Sequence, residues 1–289
     1  MIKILFLLII ITLIILFSFG VPTEDTVNNS LVISNVLVDN NTASENIWLD
    51  FTPSSILISE EKNQKTKEII NPNIDFDTKY LLGKLNYQND SRFIEVSLED
   101  SVKSGMYLRK ETYLAFKQMT QDAKKDKIDL IIISGARNFE TQKNIWENKW
   151  SGLIGDYYLI EDEYNKATSI LEQSDMPGTS RHHWGTEIDL NNLNNSYFYG
   201  GEGLKIYNWL AENASKYGFC QPYSTQDSRS GGYQEERWHW SYLPTSSVFT
   251  QQYSSLVKND DLSGFLGDHL VSELKIIVNY VLNINRECL

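Results

Sequence analysis

Cysteine, histidine and basic residues are scarce in this chain, and two of these shortages exclude classes of protein. The 289 residues include two cysteines, which are too few for a scaffold held together by several disulfides. Lysine and arginine number 26 against 38 acidic residues, which gives a formal net charge of −12. Proteins that bind nucleic acids or anionic membranes present basic patches, so this balance argues against both functions. The length is sufficient to bury a core, and one domain with appendages is the simplest organisation.

The N-terminal segment has the pattern of an export signal. Residues 4–17 form an apolar run after a short basic start, and the small residues Ser18 and Gly20 follow. This pattern is typical of a secretory signal peptide cleaved after Gly20, but the apolar stretch is also nearly long enough for an uncleaved anchor. We therefore expect an exported, periplasmic or cell-envelope protein that meets a membrane only through residues 1–21.

The remaining chain is expected to divide into a tether and a compact domain. Residues 22–75 are rich in Asn, Ser, Thr and Glu and have weak periodicity, which predicts a flexible tether. Residues 76–289 mix helical and strand patterns without a regular βαβ repeat, which favours the α+β class. Helices are predicted over residues 109–125, 139–150, 161–173, 204–217 and 268–284. Strands are predicted over residues 128–133, 185–190 and 238–242. The stripe expected along the fourth helix is Leu204, Tyr207, Ala211, Ala214 and Tyr217.

Three of the four histidines fall in two short segments. Residues 180–189 read Ser-Arg-His-His-Trp-Gly-Thr-Glu-Ile-Asp, and residues 236–239 read Glu-Arg-Trp-His. Catalytic zinc sites use three protein ligands drawn from His, Asp and Glu, and they keep a fourth position open. We therefore predict that His182, Asp189 and His239 are zinc ligands. His-x-x-Gly-x-x-x-Asp alone would be a weak signal of a metal site, and the Glu-x-Trp-His about fifty residues later makes the signal strong.

Glu236 remains as a candidate general base. It precedes His239 by three residues, so the two would face opposite sides of an ideal strand. We therefore expect Glu236 to lie in a turn or bulge before the strand, with its carboxylate directed toward the metal. There it would take a proton from a water whose pKa the metal lowers. An ordinary exposed charge is the alternative for Glu236, and it is the preferred interpretation for Glu235.

The two segments together resemble the VanY-type D-alanyl-D-alanine carboxypeptidases, zinc peptidases that trim peptidoglycan stem peptides. Ser-Gly-Ala-Arg at residues 134–137, with Gln142 five residues after the arginine, extends the resemblance to about residues 80–243. The resemblance implies a small antiparallel sheet flanked by helices, with zinc in a cleft as in hedgehog-like folds. It assigns the same three zinc ligands and the same base. It also implies that Arg137 polarises the scissile carbonyl and stabilises the oxyanion, and that Ser180 and Gln142 help to bind the substrate. Beside Ser180, Arg181 is predicted to reach the free carboxylate of the peptide.

Several of these residues keep an alternative interpretation. An arginine that stabilises a developing oxyanion accelerates the reaction, but Arg137 is equally suited to a salt bridge with Glu140. Glu187 stands where many relatives have a small apolar residue, and it either orients a ligating histidine or enters as an extra ligand. His183 is assigned to packing or to support of the ligands. Spacing does not decide whether Cys220 and Cys288 are paired; the resemblance favours their disulfide.

The predicted function is zinc-dependent hydrolysis of the terminal D-Ala-D-Ala bond of peptidoglycan stem peptides. An L,D-carboxypeptidase or endopeptidase of the same architecture is the nearest alternative, because bond choice depends on loops. A zinc-containing binding module without catalysis is disfavoured by the presence of both Glu236 and Arg137. A structural envelope protein is disfavoured only by the intact five-residue set of metal ligands and base. Residues 255–258 match the Ser-x-x-Lys of serine peptidases, but the chain has neither a Lys-Thr-Gly nor a Ser-Asp-Asn partner.

Overall fold

Residues 77–225, 227 and 229–289 are described by the computed structural model, and they lie in a unit that spans Glu68–Leu289. The predicted leader at residues 1–21 and the predicted tether at residues 22–75 fall outside the described residues. The domain boundaries therefore stay a prediction. Within the described part of the chain, no helix is both long and apolar enough to cross a membrane.

A four-stranded antiparallel sheet carries two of the three predicted zinc ligands. Its strands are β3 (Ile132–Ser134), β4 (Glu187–Leu190), β5 (Phe219–Cys220) and β6 (His239–Tyr242), in the spatial order β3-β4-β6-β5. Asp189 of β4 lies opposite His239 of β6 in the register. Because directly opposed residues of an antiparallel pair have neighbouring side chains, this register alone brings two predicted ligands together.

Helices and a second, two-stranded sheet surround the larger sheet. The smaller sheet pairs β1 (Phe93–Glu95) with β2 (Tyr107–Arg109). The helices are α1 (Thr78–Leu81), α2 (Lys110–Lys125), α3 (Phe139–Trp150), α4 (Glu163–Leu171), α5 (Gly201–Asn213) and α6 (Leu243–Leu256). Strands and helices are intermixed and the sheets are antiparallel, so the predicted α+β class, with a small antiparallel sheet flanked by helices, is confirmed.

The two faces of β4 have different surroundings. Ile188 and Leu190 belong to a buried apolar cluster that also includes Phe116 and Met119 of α2. Side chains alternate along a strand, so Glu187 and Asp189 point to the opposite face. The apolar face anchors the strand on α2, and the polar face presents both carboxylates where the predicted site lies.

The predictions for α2 and α3 are confirmed almost to the residue, while the strand predicted at residues 128–133 is wrong in its bounds. The Asn138 side chain caps α3 by accepting a hydrogen bond from Thr141 N at 2.8 Å. The strand instead covers Ile132–Ser134, because its partner β4 has only four residues. Asn191 follows β4 with a φ of 61°, outside the range of extended strands, so the strand ends at Leu190.

The stripe predicted along the fourth helix is buried only in part: Ala214 is buried, and Tyr207 and Tyr217 pack at the edge of the apolar cluster. The residues of α5 that are buried are Gly203, Ile206, Trp209 and Leu210, whereas Leu204 and Tyr207 are half-buried and Ala211 is exposed. Two apolar stripes compete on this helix, and the one with Ile206, Trp209 and Leu210 enters the apolar cluster. Tyr207 instead lies under the Arg237 guanidinium at 4.5 Å from its ring centroid.

The continuous terminal helix predicted at residues 268–284 is not present. A 3₁₀ turn at Asp268–Leu270 and a π-helical turn at Ile277–Val281 are separated by Lys275, whose φ is 51°. Lys275 N donates to Ser272 O and Ile276 N donates to Val271 O, the two hydrogen bonds of a Schellman motif. Glycine usually holds this left-handed position, so a lysine there gave no stop signal.

A disulfide joins Cys220 of β5 to Cys288 near the C terminus, so the pairing favoured by the resemblance is confirmed. The two cysteines are 68 residues apart in the sequence. We expect Cys288→Ser to lower the free energy of unfolding by about 4 kcal/mol, because the bond no longer restricts the unfolded chain. Urea unfolding at a fixed zinc concentration measures this difference, and reduced wild-type protein should match the variant. Coincident unfolding curves for oxidised wild type and variant would contradict the expectation.

Candidate active site

The three predicted ligands converge from three elements. His182 lies in a 3₁₀ helix at Arg181–Trp184, Asp189 in β4 and His239 in β6, and all three are buried. One nitrogen or oxygen from each lies within 4.8 Å of the other two. His182 Nε2 is 3.4 Å from Asp189 Oδ1, and His239 Nδ1 is 3.2 Å from the same oxygen. The structure therefore brings together the complete predicted ligand set.

The Ser-Gly-Ala-Arg block orients His182. Gly135 follows β3, and its carbonyl oxygen is 2.8 Å from His182 Nδ1. A carbonyl only accepts hydrogen bonds, so Nδ1 carries the proton and Nε2 keeps a lone pair toward Asp189. Gly185 ends the 3₁₀ helix with a φ of 73°, and a side chain there would collide with Phe93. This glycine allows the chain to pass from His182 directly into β4.

His239 is oriented from its other side. Glu187 Oε2 is 2.9 Å from His239 Nε2, which leaves Nδ1 facing Asp189. Burial disfavours the charged form of Glu187, but Arg181 and hydrogen bonds from His239 and Ser241 outweigh it and lower the pKa of Glu187 to about 2. The group that receives the His239 Nε2–H is therefore an ionised carboxylate at neutral pH.

The chemistry of the converging atoms fits a metal ion. His182 Nε2 and Asp189 Oδ1 are buried, and neither has a hydrogen-bond partner among residues 77–225, 227 and 229–289. Leaving such atoms unsatisfied is costly unless another group binds them. Burial lowers the pKa of His239, but the neighbouring carboxylates of Asp189, Glu187 and Glu236 outweigh it and raise that pKa well above 6.5. The cluster therefore favours a positive charge, and two imidazole nitrogens with one carboxylate oxygen match a zinc site.

Glu236 lies beside this cluster, in a turn that leads into β6. Its Oε2 is 3.3 Å from His239 Nδ1, and its carbonyl oxygen accepts a hydrogen bond from His239 N across the turn. The expected turn before the strand is thus confirmed. Burial raises the pKa of Glu236 above 4.5, which makes it a better proton acceptor. Glu235 instead pairs with Arg237 at 3.2 Å and is half-buried, so it is not the exposed charge that was preferred for that residue.

Arg137 reaches the same cleft with a free guanidinium. Its backbone N donates to His182 O at 3.1 Å, and its carbonyl oxygen lies 2.6 Å from His183 Nδ1. Within the described part of the chain, the Arg137 guanidinium has no ion pair or hydrogen bond, although its Nε is buried. The alternative salt bridge to Glu140 is therefore not formed there. The backbone is anchored while the cation remains available for a ligand.

His183 uses both ring nitrogens inside the protein. Nδ1 contacts the Arg137 carbonyl, and Nε2 accepts a hydrogen bond from Gly178 N at 3.0 Å. Burial lowers the pKa of His183 to about 4, so the ring is neutral at physiological pH. As predicted, it supports its neighbours and takes no place among the ligand atoms.

These groups lie in a cleft of about 570 Å³, a volume typical of sites for small ligands. The cleft is lined by Arg137, Asp175, His182, Asp189, Asn194, Asn195, Tyr223, Glu236, Trp238 and His239, among others. The implied cleft at the predicted metal ligands is therefore present.

The three predicted substrate-binding residues do not line this cleft. Gln142 is fully buried and donates to the Asp175 carbonyl at 2.8 Å, so it supports the cleft wall from behind. Ser180 has a buried hydroxyl that meets no hydrogen-bond partner in the part of the chain that the structure describes. Substrate binding by Ser180 and Gln142 stays a prediction.

The structure places Arg181 away from the predicted substrate carboxylate. Its side chain is fully buried, and the guanidinium donates to Thr250 Oγ1 at 2.9 Å and Ser241 Oγ at 3.0 Å. The same group pairs with Glu187 at 3.3 Å. Arg181 therefore faces the interior behind His239, because its polar partners lie on β4, β6 and α6.

Sequence reasoning missed Tyr223 and Asn195. The Tyr223 ring centroid is 4.7 Å from that of His239, and its carbonyl oxygen accepts a hydrogen bond from Glu236 N at 2.9 Å. Asn195 holds the same turn from the other side, donating to the Glu235 carbonyl and accepting from Arg237 N. Tyr223 stands in no motif spacing, whereas the run of asparagines before residue 196 was a signal for a structured loop.

Comparison with known proteins agrees with this geometry. The family model VanY, described as D-alanyl-D-alanine carboxypeptidase, matches residues 105–245 and so includes every predicted site residue. An uncharacterised protein of Haemophilus influenzae is 32% identical over 120 residues, which cover 35% of this chain and 88% of that protein. A D-alanyl-D-alanine carboxypeptidase of Enterococcus faecium is 28% identical over 179 residues, which cover 61% of this chain and 49% of that enzyme.

One solved structure is similar to part of this chain, and the curated relatives are longer than the region that matches them. VanYB in complex with D-alanine-D-alanine is similar with a TM-score of 0.44 and 23% identity, over 59% of this chain and 87% of that one. The chain spans about half the length or less of the curated carboxypeptidase relatives that it matches. On the match of the family model across all the site residues, the chain belongs to the VanY family of D-alanyl-D-alanine carboxypeptidases.

Proposed function

We propose that this protein is a zinc-dependent D,D-carboxypeptidase that hydrolyses the terminal D-Ala-D-Ala bond of peptidoglycan stem peptides. The observation that carries the proposal is the convergence of three buried ligand atoms, a carboxylate and an unpaired arginine in one cleft. Membership of the VanY family and the name of the Enterococcus faecium relative support the substrate class. Both Glu236 and Arg137 are present, which disfavours a binding module without catalysis.

The proposed metal ligands are His182 Nε2, Asp189 Oδ1 and His239 Nδ1. Bound there, zinc would polarise the scissile carbonyl and lower the pKa of a water molecule. The two histidines are held in the required tautomers by Gly135 O and Glu187 Oε2. Three protein ligands leave a fourth position of the zinc open toward the cleft, where water or substrate would bind.

Glu236 is proposed to move the proton. Its carboxylate takes a proton from the attacking water, whose oxygen forms a bond to the carbonyl carbon of the penultimate residue. The same carboxyl group then gives the proton to the nitrogen of the leaving D-alanine as the C–N bond breaks. Because burial raises the pKa of Glu236, the group accepts and returns a proton more readily near neutral pH.

Arg137 is proposed to stabilise the negative charge that develops on the carbonyl oxygen. Its guanidinium has no competing acceptor among residues 77–225, 227 and 229–289, and a cation fixed in advance stabilises the transition state more than the ground state. We expect Arg137→Ala to lower kcat/KM by about 10²-fold, by analogy with removal of an oxyanion donor.

Steady-state assays of D-alanine release measure this loss, with the exposed Arg286→Ala as a matched arginine control. The control should retain wild-type kinetics. An Arg137→Ala variant whose kcat/KM stays within a factor of two of wild type would show that the arginine is structural.

Mass spectrometry of stem peptides incubated with the folded protein tests the proposed bond. Loss of one alanine from pentapeptides, blocked by a chelator and restored by zinc, is the expected result. Loss from tetrapeptides alone would establish the L,D-carboxypeptidase alternative, and cleavage inside the peptide would establish an endopeptidase. No cleavage by a zinc-loaded protein would instead favour the binding module.

We also propose that the protein is exported. The leader pattern of residues 1–21 supports this location, and the proposed substrate lies outside the cytoplasm. Fractionation of cells that produce the full chain tests it: recovery in the periplasmic or envelope fraction is expected, and recovery only in the cytoplasm would refute it.

A further inference from the structure

Glu187 has an unusual position for a charged side chain. It is fully buried next to Asp189, on the same face of β4. Four donor groups surround its carboxylate: Thr186 Oγ1 at 3.0 Å, Ser241 Oγ at 2.7 Å, Arg181 Nη2 at 3.3 Å and His239 Nε2 at 2.9 Å. Both oxygens of the carboxylate are therefore occupied by donors from the protein itself.

These contacts decide between the two roles that the sequence left open for Glu187. Oε2 faces His239 Nε2, on the opposite side of the imidazole from the Nδ1 that faces Asp189. Oε1 is shared by Ser241, Thr186 and Arg181. The carboxylate thus lies behind the ring, so an extra ligand is excluded by the geometry and support of the histidine remains.

Arg181 holds Glu187 in this position. The guanidinium is anchored by Ser241 Oγ and by Thr250 Oγ1 of α6, and it stacks over the Trp184 ring at 4.7 Å. A buried ion pair is weak evidence for stability, because apolar side chains of similar size often stabilise a fold as well or better. The burial of both charges therefore points to a need for an oriented anion beside His239.

The two ligating histidines are supported differently. His182 Nδ1 meets a backbone carbonyl, that of Gly135, whereas His239 Nε2 meets the Glu187 carboxylate, which Arg181 also pairs. A carboxylate partner makes the opposite ring nitrogen a stronger donor to a metal than a carbonyl partner does, and it fixes ring orientation.

We propose that Glu187, fixed by Arg181, is the positioning residue for His239: it holds the proton on Nε2 and directs Nδ1 to the metal. The inference rests on the proposed function of this cleft as a zinc site. It extends that function by assigning a ligand-supporting role to two buried charges, one of which the sequence placed in substrate binding.

Zinc affinity of Glu187 variants tests the proposal. Glu187→Gln removes the charge behind His239, and Glu187→Asp keeps a charge for Arg181 but withdraws it from His239 Nε2. We expect the zinc dissociation constant, measured by competition with a chromophoric chelator, to rise by about 10- to 100-fold in both variants. Glu163→Gln is the matched control, because Glu163 also pairs with a histidine, His269, at 3.1 Å on the exposed surface.

The readout separates this inference from the proposed function, since zinc affinity is measured without any peptide. An inactive wild type with a Glu187-dependent affinity would preserve the inference and refute the carboxypeptidase. A folded Glu187→Gln protein whose zinc dissociation constant stays within threefold of wild type would overturn the inference.

A measurement on the wild type covers the case in which the variants do not fold. Zinc-loaded protein with ¹⁵N-labelled histidine should show a proton on Nε2 of His239 and none on Nδ1 by long-range ¹H–¹⁵N correlation. A His239 ring that carries its proton on Nδ1, or none on Nε2, would contradict the proposed orientation.

Discussion

Replacing Glu236 with glutamine is expected to lower kcat by about 10³-fold, within the range for loss of a general acid–base group. The amide keeps the size of the side chain but cannot take the proton of the attacking water. The variant should still bind one zinc, because Glu236 is absent from the group formed by His182, Asp189 and His239. Turnover of a pentapeptide stem and zinc content per folded chain measure the two effects separately.

Glu235→Gln is the matched control for this prediction. Glu235 is the neighbouring carboxylate, and it pairs with Arg237 rather than with His239. We expect the control to keep most of the wild-type rate. A Glu236→Gln variant with wild-type turnover would refute the assignment of the base, and loss of zinc from that variant would make Glu236 a ligand.

Replacing His182 with alanine is expected to abolish turnover by removing the metal. Loss of a group that only supports a ligand costs about 10- to 100-fold in metal affinity, so loss of a ligand should cost more than about 100-fold. Loss of the imidazole also leaves Asp189 Oδ1 without His182 Nε2, which lies 3.4 Å from it in the wild type. Zinc titration by calorimetry, with circular dichroism to verify folding, measures the result.

His269→Ala is the control for the histidine substitution. His269 is exposed and pairs with Glu163, outside the cleft. Its removal should change neither zinc affinity nor turnover. One equivalent of zinc bound with wild-type affinity by the His182→Ala protein would show that the metal ligands have been assigned wrongly.

The site was predictable where chemistry restricts the residue type. Few side chains bind zinc, so His182, Asp189 and His239 stood out in a chain with four histidines. Side chains alternate along a strand, so Asp189 and Glu187 share a face of β4, and the register with β6 brings His239 opposite Asp189. The ligand types and the shared face of β4 follow from residue patterns within single segments of the chain.

The direction of a buried charge was not predictable in the same way. Arg181 stands one residue from a ligand, and its turn toward the interior depends on Thr250 and Ser241, which are 69 and 60 residues away. The contacts of Glu187 likewise depend on Ser241 of β6. These pairings arise from the tertiary arrangement, which residue spacing within one segment does not contain.

Helix ends and buried faces were missed for a related reason. Lys275 takes a backbone conformation that usually calls for glycine, so the break after it had no marker. On α5, Ile206, Trp209 and Leu210 enter the core cluster, whereas Leu204 and Tyr207 of the predicted stripe are half-buried. Intrinsic patterns are weak where two apolar stripes on one helix compete for the same core.

Titration of the zinc-free protein with zinc, while D-alanine release from a pentapeptide stem is followed, tests the central claim most directly. That claim is that one zinc, held by His182, Asp189 and His239, makes the cleft a peptidase. The activity is predicted to rise in proportion to added zinc and to reach its maximum at one equivalent per chain. Full activity without zinc, or no release of D-alanine by a folded chain with one zinc bound, would contradict it.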